Sequence, residues 1–279
     1  MSCLAELHIA VRRTNRYEFD AASGVVEHWL QNEEAIPGSM MYGRVLSSLG
    51  QHRAFQGKSS EARQYFDRAL AVFGRLSDPA ATSREQRQTA AYRALASLDD
   101  ATLTAADRRP LMEAAGVGLD PAQIRELAAM GDGESRWRHH LLVRYLAERC
   151  KDHAAIDAYL DAYEHWKDGL SHPWGLITAW RGMLLLRDHS RNAAKWYFQL
   201  GSNLYSGPTA RGVSGLIRHA IRQAAYCAGV DGQPAVPAAI ASLRTLLPAA
   251  SRYIDALQHA RPGDDPVDVL RRVLPFNVR

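Results

Sequence analysis

Lysine is nearly missing from this chain: only Lys58, Lys151, Lys167 and Lys195 occur, and the remaining members of the Lys+Arg set are arginines. Cysteine is as scarce, at Cys3, Cys150 and Cys227. An odd count at such wide spacing excludes a disulfide framework and a zinc motif, and makes a reducing cytoplasm the expected compartment. No stretch is apolar for long enough to span a membrane. The opening residues, Met-Ser-Cys-Leu-Ala-Glu-Leu-His, lack the cationic region and apolar run of a signal peptide. Few segments alternate polar and apolar residues, which argues against half-buried strands. There is no Gly-Lys-Ser/Thr loop, no His-Glu-x-x-His and no Cys-x-x-Cys, so the sequence offers no cofactor, no metal and no catalytic constellation.

What is present is alanine, leucine and arginine. The chain has 279 residues and 47% hydrophobic content, enough to build a substantial core. Alanine and leucine are strong helix formers, so the expected class is all-α. The formal charge of +4 and pI near 9.0 are too diluted to demand nucleic acid, although they permit an acidic partner. Arginine richness beside alanine richness is also what a GC-rich genome produces.

Gly, Pro and Asp punctuate a succession of helices. The spacing predicts helices over 3–13, 18–31, 39–55, 59–76 and 83–97, with Pro37-Gly38-Ser39 and Asp78-Pro79 as breaks. Residues 100–134 read as an irregular joint with shorter elements, 104–115 and one opened by Asp120 as N-cap with Pro121 behind it. Gly131-Asp132-Gly133 marks its end. Helices resume over 135–150, 153–167, 173–188, 191–204, 209–228, 234–246, 249–260 and 266–274. The organisation expected is an N-terminal array at 1–99, the joint, and a C-terminal array at 135–279.

Two windows echo each other. Phe19-Asp20-Ala21 leads to Glu27-His28-Trp29, and Ile156-Asp157-Ala158 leads to Glu164-His165-Trp166 at the same internal spacing. A Pro-containing break follows each (Pro37, Pro173). Then come a long helix and a second helix carrying Ala-x-x-x-Phe (Ala62/Phe66, Ala194/Phe198). This is the signature of an internal duplication.

Residues 43–70 carry the clearest unit. Leu46, Leu49 and Gly50 lie on a first helix, Gly57 makes the turn, and Ala62, Phe66 and Ala69 share a face of a second. Gly50 and Ala62 let two backbones approach while Phe66 fills the space beside them. This stretch resembles a tetratricopeptide repeat, with weaker copies at 136–162 (Leu142, Leu146, Ala155, Tyr159, Ala162) and 175–201 (Gly182, Leu185, Ala194, Phe198, Gly201). It departs from the family at Arg53, where an aromatic is usual, and in its late proline, Pro79. The resemblance implies a solenoid of stacked antiparallel helix pairs and a non-enzymatic scaffold or adaptor whose groove holds a protein or peptide. In that family first helices line the groove, so the resemblance points to Arg44, Ser47, Ser48 and Gln51 as exposed partner-binding residues.

Other clusters are weighed beside it. Arg211, Arg218 and Arg222 share a helix face opposite Val213, Leu216, Ile217, Ala220 and Ala224, a ridge able to hold carboxylate or phosphate. Arg136, Arg138 and Arg144 with His140 make a second basic group. These support an alternative reading as an RNA- or phosphate-binding helical-repeat protein. A further one is a regulatory or sensor subunit of a larger bacterial complex, defence complexes included. Trp29 and Trp166 read as packing anchors. His165, His172 and Cys150 have no metal-ligand spacing, and the adjacent His139 and His140 point to different sides of a helix. The 206–212 loop reads as a helix connection, and Asp99-Asp100 and Asp264-Asp265 as capping and turn residues.

Overall fold

The computed structural model describes residues 2–31, 39–130, 135–163, 175–187, 190–206, 212–231, 233–235 and 237–273. Pro37, Pro173, the Gly131–Gly133 joint, His165, His172, Arg211 and the second Glu-His-Trp copy lie outside them. Within the described residues the chain is all-α. It forms two compact units, 1–116 and 117–279.

The first unit holds α1 (Cys3–Thr14), α2 (Phe19–Val26), the short α3 (His28–Gln31), α4 (Met40–Phe55), α5 (Ser59–Gly74), α6 (Pro79–Leu98) and α7 (Ala105–Ala114). Each long helix packs on the next: α1 on α2, α2 on α4, α4 on α5, α5 on α6, α6 on α7. Local chemistry sets the boundaries. Ser39 Oγ accepts from Tyr42 N–H at 3.1 Å, and Thr104 and Asp107 close a reciprocal capping box. Pro79 opens α6 rather than closing an extended α5, which already ends at Gly74.

The C-terminus of α4 is closed by Lys58 N–H donating to Arg53 O at 2.9 Å, with Gly57 at φ 79°. α1 closes in the same way, Glu18 N–H reaching Arg13 O at 3.1 Å, but the left-handed residue is Tyr17 at φ 64°. Its ring is buried 5.3 Å from Phe19, which stacks on Phe55 at 4.9 Å. Aromatic packing holds a conformation that ordinarily selects glycine. The core of the unit joins Leu7, Ala10, Ala22, Val26, Val45 and Leu49.

The second unit holds α8 (Pro121–Ala129), α9 (Arg136–Glu148), α10 (His153–Tyr163), α11 (Gly175–Arg187), α12 (Arg191–Asn203), α13 (Val213–Cys227), α14 (Pro237–Leu246), α15 (Ser251–His259) and α16 (Pro266–Val273). Asp120 caps α8 as expected, accepting from Ala122 and Gln123 N–H at 3.0 and 3.1 Å. α11 packs on α12, α12 on α13, and α13 on α16. The weaker repeat expected at 136–162 is not a tight hairpin: α9 packs chiefly on α11, and α10 on α8. The physical reason lies in α9, which has no glycine to admit a second backbone.

α4/α5 and α11/α12 are two copies of one hairpin. A Cβ added to Gly50 would stand 2.6 Å from the Phe66 ring, and one added to Gly182 would meet Phe198 at 3.2 Å. Gly43 lies under Phe73 as Gly175 lies under Tyr205. All four aromatic contacts coincide under one shift of 132 residues, and Ala62 and Ala194 also correspond. The Tyr205 hydroxyl adds what Phe73 cannot, accepting from Leu176 N–H at 3.2 Å, while burial pushes its phenol pKa up.

Candidate functional site

The face named by the resemblance is covered. Ser47, Ser48 and Gln51 are buried rather than exposed. Ser47 and Gln51 share a face with Arg44, as their spacing requires, and α6 meets that face at Arg44 and Ser47. Arg44 grips Glu85 at 2.8 and 3.1 Å, and the hydroxyls of Ser47 and Thr89 lie 3.1 Å apart. Gln51 reaches back to Ser47 O at 3.5 Å. Ser48 Oγ lies 3.4 Å from His52 Nε2, whose Nδ1 is 3.4 Å from Ser23 Oγ, so a buried histidine bridges α2 and α4. Polar residues on α4 are matched by polar residues of this chain, because α4 has neighbours on nearly every side.

Arg53 replaces the expected aromatic with an ionic tie, holding Glu27 at 2.7 Å and Gln56 at 3.0 Å. Trp29 is a half-buried anchor whose Nε1 donates to Glu6 at 2.6 Å, with His28 3.2 Å from the same carboxylate oxygen. Asp100 is buried. Burial alone would raise its pKa, but the hydrogen bonds from Thr102 and the Arg63 guanidinium, 2.7 Å away, outweigh that and hold it below the usual carboxylate range. Asp264 and Asp265 serve a turn and a helix start, accepting from Arg261 and Val267 N–H at 3.0 and 2.9 Å.

Of the ridge on α13, Arg218 and Arg222 are half-buried on one face, while Leu216, Ile217, Ala220 and Ala224 fill the core opposite. Among the described residues Arg218 Nε is buried with no hydrogen-bond partner. Burial first, and then these two guanidinium groups, push the His219 pKa down.

The second basic group does not assemble on the surface. Arg136 lies over the Trp137 ring at 4.4 Å, whereas His140 and Arg144 are buried. His139, on another side of α9, meets Met130 O at 2.5 Å.

Arg144 belongs to a polar cluster in the core of the second unit that residue-type reasoning did not find. Its Nε donates to Glu148 at 2.7 Å, both side chains being 2% exposed, and its guanidinium lies 5.9 Å from the Trp180 ring. Arg181, fully buried, donates to the Tyr159 hydroxyl at 2.6 Å. Arg187 holds three carbonyls at the end of α9: Leu146 at 2.6 Å, Ala147 at 3.1 Å and Cys150 at 2.7 Å. Two signals were available in sequence. Arg144 and Glu148 are four residues apart on one helix. Under the duplication Arg181 falls where the first copy has Leu49, and Tyr159 falls where the first echo window has Ala22.

On the surface of the first unit an open cleft of about 800 Å³ is lined by Ile9, Arg12, Arg13, Asn15, Arg16 and Glu18. Among the described residues no group of three or more His, Cys, Asp and Glu side chains is placed to hold a metal. No described helix is long and apolar enough to cross a membrane. Comparison with known proteins found no matching family model, no matching curated protein and no matching solved structure.

Proposed function

We propose that this protein is a non-enzymatic scaffold built on tetratricopeptide-like helix hairpins, and that it binds a protein or peptide partner. The observation that supports it is the recurrence of one glycine–aromatic register in α4/α5 and α11/α12. Helix pairs repeated in this way present binding surface without requiring a catalytic centre. The contact residues belong elsewhere than the α4 face, since Ser47 and Gln51 are buried and Arg44 is paired with Glu85 of α6. A regulatory subunit of a larger complex is the same reading at a larger scale. The test is purification from the native host, followed by reconstitution with each stoichiometric co-eluting protein. A complex that reassembles from purified components supports the scaffold; a chain that elutes alone under every condition overturns it.

A second reading, binding of RNA or a phosphate ligand, is favoured by Arg218 and Arg222, half-buried side by side on α13. It requires binding that falls steeply with added salt. Indifference to salt removes it.

A further inference from the structure

We propose that the cleft at the C-terminal end of α1 seats a carboxylate-rich segment of a partner protein. This rests on the scaffold reading and names the chemistry of one of its contacts. Among the described residues that line it, three are arginines, Arg12, Arg13 and Arg16, and one is a carboxylate, Glu18. Arg13 and Glu18 approach to 3.5 Å, so the cleft already holds one carboxylate on one of its arginines. Arg12 and Arg16 are exposed, four residues apart, and have no ion-pair partner among the described residues.

The neighbouring carboxylates among the described residues are engaged away from these two. Glu6 takes Trp29 and His28, Asp20 accepts from Gln56 at 2.5 Å, and Glu27 takes Arg53. Nor are the guanidinium groups required to finish the helix. Asn15 N–H donates to Val11 O at 3.0 Å, and Arg16 and Glu18 N–H donate to Arg13 O at 2.9 and 3.1 Å, so backbone groups satisfy the last turn. Two uncommitted planar guanidinium groups beside an open cleft match carboxylates in bidentate geometry.

Protein carboxylates are favoured over nucleic-acid phosphates as the occupant by what surrounds the arginines. Tyr17 and Phe19, the aromatic residues next in the chain, are buried, and Phe19 stacks on Phe55, so neither offers a face on which a base could stack. Ile9, half-buried in the lining, offers instead an aliphatic contact of the kind a peptide side chain uses.

The test uses the full chain and a fluorescein-labelled peptide alternating glutamate with leucine, read by fluorescence polarisation, beside the same peptide with glutamine in place of glutamate. The glutamate peptide is expected to bind and the glutamine peptide not. Arg12→Ala with Arg16→Ala is expected to weaken binding at least tenfold. Arg12→Lys with Arg16→Lys is expected to fall between, since lysine keeps the charge and loses the fork. Arg109→Ala with Arg244→Ala, two exposed arginines away from the cleft, is expected to leave it unchanged, and circular dichroism confirms that each variant is folded.

Equal binding by the Arg12/Arg16 alanine variant, or none by the wild type, overturns the proposal. So does tighter binding of a labelled single-stranded oligonucleotide of equal charge, which assigns the cleft to nucleic acid. The scaffold reading fails separately, through the absence of any reconstituted complex. Loss of this peptide site with complex formation intact overturns the present inference alone.

Discussion

Arg181 and Leu49 occupy the same position of two copies of one helix hairpin. Leu49 is packed among Leu7, Ala10, Ala22, Val26 and Val45. Arg181, equally buried, donates to the hydroxyl of Tyr159, which stands where the echo window places Ala22. One position of the shared hairpin has thus been filled once with hydrocarbon and once with a charged, hydrogen-bonded side chain. An ionised group loses its hydration on burial and must recover it from fixed partners, so the second core is the more sensitive to single changes.

Glu148→Ala is expected to destabilise the second unit by about 3–5 kcal/mol, because it leaves Arg144 charged, buried and without this carboxylate. Replacing the pair together, Arg144→Met with Glu148→Leu, is expected to recover most of that loss. Urea denaturation of both variants measures it; a double variant as weak as the single one would show that the pair itself is not the source.

Gly50→Ala is expected to cost about 1–3 kcal/mol although alanine is the better helix former, because the new methyl meets the fully buried Phe66 ring at 2.6 Å. Gly182→Ala is expected to cost less, its nearest neighbour being 3.2 Å away. The two melting temperatures decide the order. Equal shifts would mean that the two glycine–aromatic contacts are equally tight, against the difference in their distances.

Acid is expected to weaken the first unit through Asp100. Its folded-state pKa is lowered, so its stabilisation is complete above the unfolded value of about 3.9 and is lost as pH falls through the folded value. Asp100→Asn is expected to be less stable than wild type at neutral pH and to show a shallower decline below about pH 4. Stability measured between pH 7 and pH 3 tests this, and parallel curves for the two proteins would refute it.

His219 carries the opposite charge change with the same dependence on pH. Its folded pKa is lowered, so the unfolded chain binds the proton more readily, and stability is lost as pH falls below the unfolded value of about 6.5. His219→Gln is expected to flatten the decline between about pH 7 and pH 5. Arg218→Met is expected to bring the histidine's titration, followed by NMR, upward toward its ordinary value. A titration that does not move would remove Arg218 as a cause.

Most of the local structure was legible in the sequence. The N-cap Asp120, the turn at Gly57 and the start of α8 at Pro121 depend on groups a few residues apart, and the structure has them as read. The Gly50–Phe66 and Gly182–Phe198 contacts were also legible, because a glycine and an aromatic at fixed spacing across a short turn leave two helices one way to approach. Of the face shared by Arg44, Ser47 and Gln51, Ser47 and Gln51 were read as exposed and are buried, while the Arg44 side chain stays 40% exposed.

That difference marks what the sequence by itself determined and what it did not. Helical periodicity says which residues point the same way; it does not say what lies opposite. Only tertiary structure set Thr89 and Glu85 of α6 against Ser47 and Arg44, and drew Arg144 and Arg181 inward while leaving Arg12 and Arg16 at an open cleft. Arginine carries the same charge in all four places. Whether it is a core residue or a contact for a partner depends on how much water the surrounding helices leave around it, and those helices lie tens of residues away in the chain.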